Sequence, residues 1–142
     1  MIEIIINGNP VPKKRPRFAR RGNFVMTYSD QGKIEERHKA IIQGQVKEPL
    51  PGPLSVSCLF CMERPRSHYG TGKNAGQVKA GVSRFHTVKP DTDNLIKWAL
   101  DCLNGIAFAD DKQVVEITGR KEYSTIPRTE ITVKEVEHEF SF

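Results

Sequence analysis

The sequence predicts an α/β (α+β) domain in which one mixed β-sheet packs against two main helices, in the order β-α-β-α-β-β. Apolar residues alternate with a period of two in several segments, as in strands, and recur with a helical period in two others. Clusters of glycine and proline separate these segments. The 142 residues fit one domain, 1–142, that can bury a core without disulfides.

The chain is predicted to begin with a strand at 2–7. Isoleucine occupies every second position of this segment, and Gly8 and Pro10 end it. The stretch from 11 to 22 is rich in proline and basic residues and is predicted to be a loop. A short additional strand is predicted at 24–28, where apolar residues return.

A first helix is predicted from Ser29 or Asp30, either of which can cap it, to about Val46. Three prolines and a glycine between 49 and 53 stop this helix and turn the chain. Its apolar residues lie on one stripe, as expected for a helix that packs on a core. The stripe consists of Ile34, Ile41, Ile42 and Val46.

The strongest strand signal is at 54–62, where every second residue is apolar. Residues 63–90 follow with four glycines and no clear period, and loops this long in compact domains are usually functional or disordered. A second helix is predicted at 93–104, with Gly105 as its stop. Strands predicted at 114–123 and 129–136 complete the sheet.

Basic residues are concentrated in two segments, although the net charge of +5 is mild. The first basic segment, residues 10–24, contains no acidic residue, and the second basic segment, residues 63–90, contains only Glu63. Both could neutralise DNA phosphates, and Phe18, Tyr69 and Phe85 could stack on unpaired bases. The alternative is that both are solvated loops that bind nothing. The candidate DNA-binding residues are Lys13, Lys14, Arg15, Arg17, Arg20, Arg21, Arg64, Arg66, Lys73, Lys79, Arg84 and Lys89.

Two aspartates stand where extended chain turns into the second helix. Asp91 and Asp93 are two residues apart, a spacing of about 6.5 Å in extended chain that lets both carboxylates reach one cation. Mg²⁺ takes oxygen ligands, commonly one or two carboxylates with water and phosphate oxygens. Lys97 lies one helical turn after Asp93, where it could offset charge on a reacting phosphate. The alternative is a helix cap and an exposed ion pair.

A second acidic pair, Asp110 and Asp111, precedes the strand at 114–123. If this loop folds back beside the start of the second helix, a third carboxylate joins the site. Three carboxylates, a lysine and basic segments would form a site for metal-assisted phosphodiester hydrolysis. The alternative is that the pair belongs to a turn.

The acidic motifs resemble the signature of the RusA family of Holliday junction resolvases. The run KPDTDNLIKWALDCLNG at 89–105, followed by FADDKQVV at 108–115, carries the resemblance, and PVPKKRPR at 10–17 extends it. The resemblance implies that Asp91, Asp93 and Asp111 are metal-site carboxylates and that Lys97 is required for cleavage. It implies supporting or structural roles for the remaining acidic residues of these motifs, which are Asp110 and Asp101.

The resemblance also implies a homodimeric endodeoxyribonuclease that uses Mg²⁺, which Mn²⁺ could replace. Such enzymes bind four-way DNA junctions and nick two opposed strands symmetrically, and a two-fold enzyme suits that substrate. The second basic segment is longer and richer in glycine than in the smallest family members. Two alternatives remain open: a nuclease of the same chemistry acting mainly on flaps or other branched DNA, and a nucleic-acid-binding module without catalysis.

The rest of the sequence predicts an intracellular protein, and the C-x-x-C spacing of Cys58 and Cys61 favours buried thiols over a structural zinc site. No run of 18 apolar residues predicts a membrane span, and the first strand lacks the basic start of a signal peptide. An odd number of cysteines fits a reducing location, most simply the cytoplasm. We expect Cys58 and Cys61 to be inert buried thiols, His38 and His138 to lie at the surface, and Trp98 to pack in the core or a dimer contact.

Overall fold

The computed structural model describes residues 1–15, 17–28 and 30–137. For residues 17–19, 21 and 24–28 it describes the backbone, so the expected roles of the Arg17, Phe18 and Arg21 side chains lie outside the description. The predicted cap at Ser29 and the predicted surface position of His138 also lie outside the described residues.

The predicted fold class and the order of the main elements are confirmed. The strands and helices are β1 (Ile2–Asn7), β2 (Arg17–Arg21), β3 (Phe24–Tyr28), α1 (Gly32–Gln43), β4 (Leu54–Glu63), α2 (Thr92–Leu103), β5 (Val114–Ser124) and β6 (Arg128–Glu135). The first basic segment is not entirely a loop, because β2 pairs with β3 as an antiparallel hairpin separate from the main sheet. No helix among the described residues is long and apolar enough to span a bilayer.

The main sheet has the strand order β1-β6-β4-β5, with β4 and β5 parallel and the other neighbours antiparallel. Helix α2 lies in the crossover between β4 and β5, as a parallel pair requires. It packs so closely on β5 that a Cβ at Gly119 would lie 2.7 Å from Cδ1 of Ile96 and 3.3 Å from Cγ2 of Thr92. Glycine therefore lets the first turns of α2 approach the middle of β5.

Helix α2 runs antiparallel to β5, and this direction positions the candidate site. Its first turns contact Gly119, whereas its last residues lie beside the turn at Asp111–Gln113 that leads into β5. Asp91 and Asp93 are consequently near the carboxyl half of β5, and Asp111 is near its amino end.

The core forms between one face of the sheet and both helices. Strand β4 contributes its predicted apolar face, and α2 buries Leu95, Ala99, Cys102 and Leu103 against it. Phe108 fills the corner after α2 and is fully buried. This burial, at about 25 cal/mol per Å² of apolar surface, is what fixes α2 on the sheet.

Helix α1 differs from its predicted bounds at both ends. Gln31, rather than Asp30, is the residue at its N-cap position, and the helix ends at Gln43. Val46 is buried as predicted, but it lies beyond the helix, in the segment that returns toward β4.

The predicted surface position of His38 is wrong. Its side chain is buried, with 6% of its surface exposed, and its Nδ1 accepts a 3.0 Å hydrogen bond from Nε1 of Trp98. The two rings meet edge to face at 5.8 Å between centroids, and Trp98 is in the core as expected. Burial lowers the pKa of His38, and the nearby Arg37 adds to this effect.

We predict that His38→Leu lowers the free energy of unfolding by about 1–3 kcal/mol, because the Trp98 N–H is left buried without an acceptor. His38→Gln supplies an amide oxygen and should retain more stability. The pKa of His38 is lower in the folded protein than in the unfolded chain. As the pH falls below the ordinary histidine pKa, the unfolded chain therefore binds more protons than the folded protein, and wild type loses stability in that pH range. Urea unfolding between pH 5 and 8 checks this, and equal pH dependence in wild type and His38→Gln would contradict it.

Cys58 and Cys61 are buried as predicted, and Cys102 is buried as well. All three are free thiols. Burial raises the pKa of Cys58 and of Cys102 to about 12, so neither is a thiolate at neutral pH. Within the described part of the chain, no His, Cys, Asp or Glu cluster of three or more is arranged to hold a metal ion.

Candidate active site at the start of helix α2

The carboxylates at the start of α2 are not used to cap the helix. Asp91 is the N-cap residue, with an extended backbone at φ −71° and ψ 145°, yet its side chain accepts no capping hydrogen bond. Asp93 lies in the first helical turn, where its charge is favourable beside the helix dipole. Both carboxylates therefore retain oxygen atoms for another partner, which argues against a capping role alone.

The structure brings Asp91, Asp93 and Lys97 together with the first basic segment. They line an open pocket of about 630 Å³. Nζ of Lys97 is 3.9 Å from Oδ2 of Asp93, and both side chains are about two-thirds exposed, at 64% and 69%. An exposed pair at this distance is weak, so Lys97 can turn to another anion. The full lining consists of Lys13, Lys14, Arg15, Asp91, Asp93, Asn94 and Lys97.

Backbone contacts hold the first basic segment over this pocket. The amide of Lys13 donates to the carbonyl of Asn94 at 2.9 Å. The buried side chain of Gln31 accepts from the amide of Lys14 at 3.0 Å and donates to the carbonyl of Pro12 at 2.8 Å. Sequence reasoning missed Gln31, because nothing local indicates a partner 17 or 19 residues away.

The ammonium of Lys13 is engaged in ion pairs within the protein. Its ammonium lies 2.8 Å from Oδ2 of Asp101 and 3.8 Å from Oε1 of Glu35. The hydrogen bond to Asp101 raises the pKa of Lys13. Lys14, Arg15 and Lys97 are exposed and supply the pocket's remaining positive charge.

Asp111 lies at the far end of α2 from the other carboxylates. Its amide donates to Oδ1 of Asn104 at 3.0 Å, one residue beyond the helix. Asp93 and Asn104 are eleven residues apart, which is about 16 Å along a helix axis. The chain therefore does not fold this loop back to Asp91 and Asp93. Asp111 is exposed, and slight desolvation raises its pKa, with the neighbouring Asp110 adding to the rise.

Asp110 caps the short turn that contains Asp111. Its Oδ1 accepts from the amide of Lys112 at 2.9 Å, and Oε1 of Gln113 accepts from the amides of Ala109 and Asp110, at 3.0 and 3.2 Å. These bonds form a capping box at the start of a short 3-10 turn. The hydrogen bond from Lys112 lowers the pKa of Asp110.

The residues at the start of α2 fit a magnesium ion. Asp91 and Asp93 offer hard carboxylate oxygens to one open pocket, and Mg²⁺ in phosphoryl sites commonly takes one or two carboxylates with water and phosphate oxygens. Nearby positive charge suits the phosphate that would share such an ion.

The second basic segment is more ordered than its sequence pattern indicates. Two short 3-10 turns and isolated bridges structure it, and Phe85 pairs with Glu122 at the edge of β5. Lys121 fixes the carboxyl end of the second basic segment, because its Nζ donates to the carbonyls of Val88 and Pro90, both at 2.8 Å. Arg66, Lys73, Lys79 and Lys89 are exposed, as are Lys14, Arg15 and Arg20 in the first basic segment.

The ring of Phe85 is half-exposed between two guanidinium groups. Cζ of Arg84 is 5.4 Å from the ring centroid, and Cζ of Arg120 is 5.9 Å from it. Arg84 is also paired with Glu122 at 2.9 Å, so part of its charge is neutralised inside the protein.

Comparison with known proteins gives two findings. A family model described as "Endodeoxyribonuclease RusA" matches residues 7–134. The chain is also similar to a protein of Bacillus subtilis (strain 168) named "Uncharacterized protein YqaN", with 32% identity over 138 residues that cover 95% of this chain and 96% of the relative. The matched region contains both acidic motifs and both basic segments.

Proposed function

Because the chain belongs to the RusA family of endodeoxyribonucleases, whose members resolve Holliday junctions, we propose that it is a Mg²⁺-dependent enzyme that resolves four-way DNA junctions by paired, symmetric nicks. One observation carries this proposal: Asp91, Asp93 and Lys97 line one pocket with exposed basic residues of the first basic segment. Carboxylates alone would repel DNA, and basic residues alone would bind it without chemistry. Their combination suits phosphodiester hydrolysis on a polyanion.

Each residue of the pocket has a distinct part in this proposal. Asp91 and Asp93 hold Mg²⁺, and Mn²⁺ could take its place. An ion held there would supply polarisation of the scissile phosphate and a lowered pKa for a water molecule. Lys97 offsets the charge that develops on the phosphate during attack. Lys14 and Arg15 hold the neighbouring backbone phosphates, so the strand is oriented before cleavage.

The third carboxylate of the site, Asp111, comes in this proposal from the partner in a homodimer. Within one chain about 16 Å of helix separates the two acidic positions, whereas a two-fold axis can bring opposite ends of two α2 helices together. The amino half of β5, which follows the turn at Asp111–Gln113, supports such a contact. Val115 and Ile117 on this edge strand are 64% and 38% exposed. A dimer would cover them and give two sites for the two opposed strands of a junction.

The whole chain, 1–142, acts as one RusA-like domain whose two basic segments bind branched DNA, and the enzyme works in the cytoplasm, where DNA is recombined and repaired. The residues proposed to contact DNA are Lys13, Lys14, Arg15, Arg17, Arg20, Arg21, Arg64, Arg66, Lys73, Lys79, Arg84 and Lys89.

A cleavage assay on three substrates tests the function. Equal amounts of a four-way junction, a flap and a linear duplex are incubated with the protein in Mg²⁺ and in EDTA. We expect symmetric nicks on two opposed strands of the four-way form, only with Mg²⁺, and little cleavage of linear duplex. Preferential cutting of the flap would favour a flap nuclease instead. Junction binding without cleavage, in Mg²⁺ as well as in EDTA, would favour a nucleic-acid-binding module without catalysis.

We predict that Gln31→Ala weakens junction binding as well as stability. It removes the two hydrogen bonds that fix the backbone of 12–14, so Lys14 and Arg15 lose their register over the pocket. The stability loss should be roughly 1–3 kcal/mol because Gln31 is buried. Fluorescence anisotropy with a labelled junction and urea unfolding measure the two effects.

Gln45→Ala is the matched control for this prediction. Gln45 makes the same pair of bonds to the backbone of Ile5, accepting at 2.9 Å and donating at 2.8 Å, but on β1, away from the pocket. It should lose less stability than Gln31→Ala, because Gln45 is exposed, and it should bind the junction like wild type. If both variants bind equally well, Gln31 has only a structural role.

A further inference from the structure

A second pocket lies beside the candidate active site, at the carboxyl end of β4 and β5. Its volume is about 370 Å³. Val88, on its wall, is three residues before Asp91, so their Cα atoms are at most about 10 Å apart. Lys121 holds the intervening chain against β5 through its bonds to the carbonyls of Val88 and Pro90. The lining consists of Glu63, Arg64, Pro65, Arg66, His86, Val88 and Tyr123.

Arg64 is held rigidly in this pocket by three parts of the fold. Its Nη1 lies 3.2 Å from Nδ1 of His68 and donates to the carbonyl of Ser83, also at 3.2 Å. Its guanidinium carbon lies 5.5 Å from the centroid of the Tyr123 ring. The Tyr123 ring is itself fixed by edge contacts with His68 and His86, at 4.8 and 5.0 Å. A long side chain that is ordinarily mobile is thereby given one orientation.

The fixed guanidinium keeps its best binding edge free of protein partners. Both hydrogen-bond contacts of Arg64 use Nη1, whereas Nε and Nη2 have no hydrogen-bond or ion-pair partner among the residues that the structure describes. These two nitrogens form the planar fork that binds a phosphate or carboxylate through two parallel hydrogen bonds. By contrast, Arg128 uses Nη1 on Ser124 and Ile126 and Nη2 on Glu130.

We propose that Arg64 is a bidentate anchor for one backbone phosphate of the bound DNA strand, within about three nucleotides of the cleaved bond. The inference rests on the proposed function and adds a defined subsite to it. One strand carries a phosphate about every 3.4 Å along the duplex axis, so the upper limit of about 10 Å between the Cα atoms of Val88 and Asp91 corresponds to at most about three steps. His68, Ser83 and Tyr123 are positioning residues, and the exposed Arg66 adds positive charge.

The test combines one arginine variant with a scan of neutral phosphates. Four-way junctions are made with a single methylphosphonate at each of the positions within four nucleotides of the cleaved bond, and binding is measured in Ca²⁺ to prevent cleavage. Wild type should lose about tenfold in affinity at one position, because a charge-assisted bidentate contact is lost there. Arg64→Lys keeps the charge but not the fork, so it should bind the unmodified junction more weakly and be insensitive to that methylphosphonate.

Arg128→Lys is the control, since its guanidinium is already bound within the protein and should leave the sensitive position unchanged. His68→Ala removes one contact that orients Arg64, so its binding should be less sensitive to the methylphosphonate although Arg64 itself is present. A scan of wild type with no sensitive phosphate near the cleaved bond overturns the inference even if Arg64→Lys does not fold. The inference is also overturned if Arg64→Lys folds and its binding is still weakened by the methylphosphonate at the same position. If wild type neither binds nor nicks the junction, the proposed function fails instead.

Discussion

Asp93→Asn is expected to lower Mg²⁺-dependent nicking of a four-way junction by roughly 10³-fold, because an amide is a poor substitute for a carboxylate ligand and several kcal/mol of metal catalysis are lost. The change is nearly isosteric, and the Asp93 side chain is 69% exposed, so the fold should be retained. Junction affinity in the absence of cleavage should be unchanged or slightly higher, since one negative charge leaves a basic pocket. Single-turnover nicking and anisotropy measure the two quantities.

Glu116→Gln is a matched control for this result. It also removes one exposed carboxylate, but Glu116 lines a polar depression formed by residues of β4, β5 and β6 and takes no part in the pocket at α2. It should nick like wild type. Nicking by Asp93→Asn at the wild-type rate in Mg²⁺ would remove Asp93 from the metal site and leave the non-catalytic alternative standing.

A heterodimer of Asp93→Asn with Asp111→Asn is expected to regain activity that neither homodimer has. If Asp111 completes the site of the partner, one site of this heterodimer carries both lesions and the other carries none. The two chains are co-expressed with different tags and the mixed dimer is purified through both. It should nick at about half the wild-type rate and cut one strand rather than two, since only one of two symmetric sites is intact.

The same experiment discriminates against a site completed within one chain. In that case each site of the heterodimer carries one lesion, and the mixed dimer should be as inactive as its parents. An active Asp111→Asn homodimer would remove Asp111 from catalysis altogether. Sedimentation of wild type as a monomer at assay concentration would contradict the shared site directly.

The main sheet and both helices were predictable because their apolar residues recur with the period of the element. Strand β4 shows this best, since its buried face is every second residue of 54–62. Helix α2 was placed within one residue at either end by its apolar face and by Gly105, which has a φ of +79°. The hairpin of β2 and β3 was only half predicted, because a ribbon outside the main sheet needs no apolar face.

The contacts of single polar residues were not predictable in the same way. His38 looks like a surface residue on a polar helix, and its burial depends on Trp98, 60 residues later in the chain. Gln31 and Arg64 likewise acquire their roles from distant partners. Hydrogen bonds of this kind depend on how helices and loops pack, and the spacing of apolar residues along the sequence does not indicate them.

The family, the fold class and the residue types of the candidate site could be deduced from the amino-acid sequence alone, because a short motif fixes which groups stand at the start of a helix. Which of these groups meet depends on how the helices and strands pack in three dimensions. The antiparallel course of α2 along β5 puts Asp91 and Asp93 at one end of a 12-residue helix and Asp111 at the other. A rigid helix keeps them apart however acidic the two motifs are, which is why the proposed site takes its third carboxylate from a second chain.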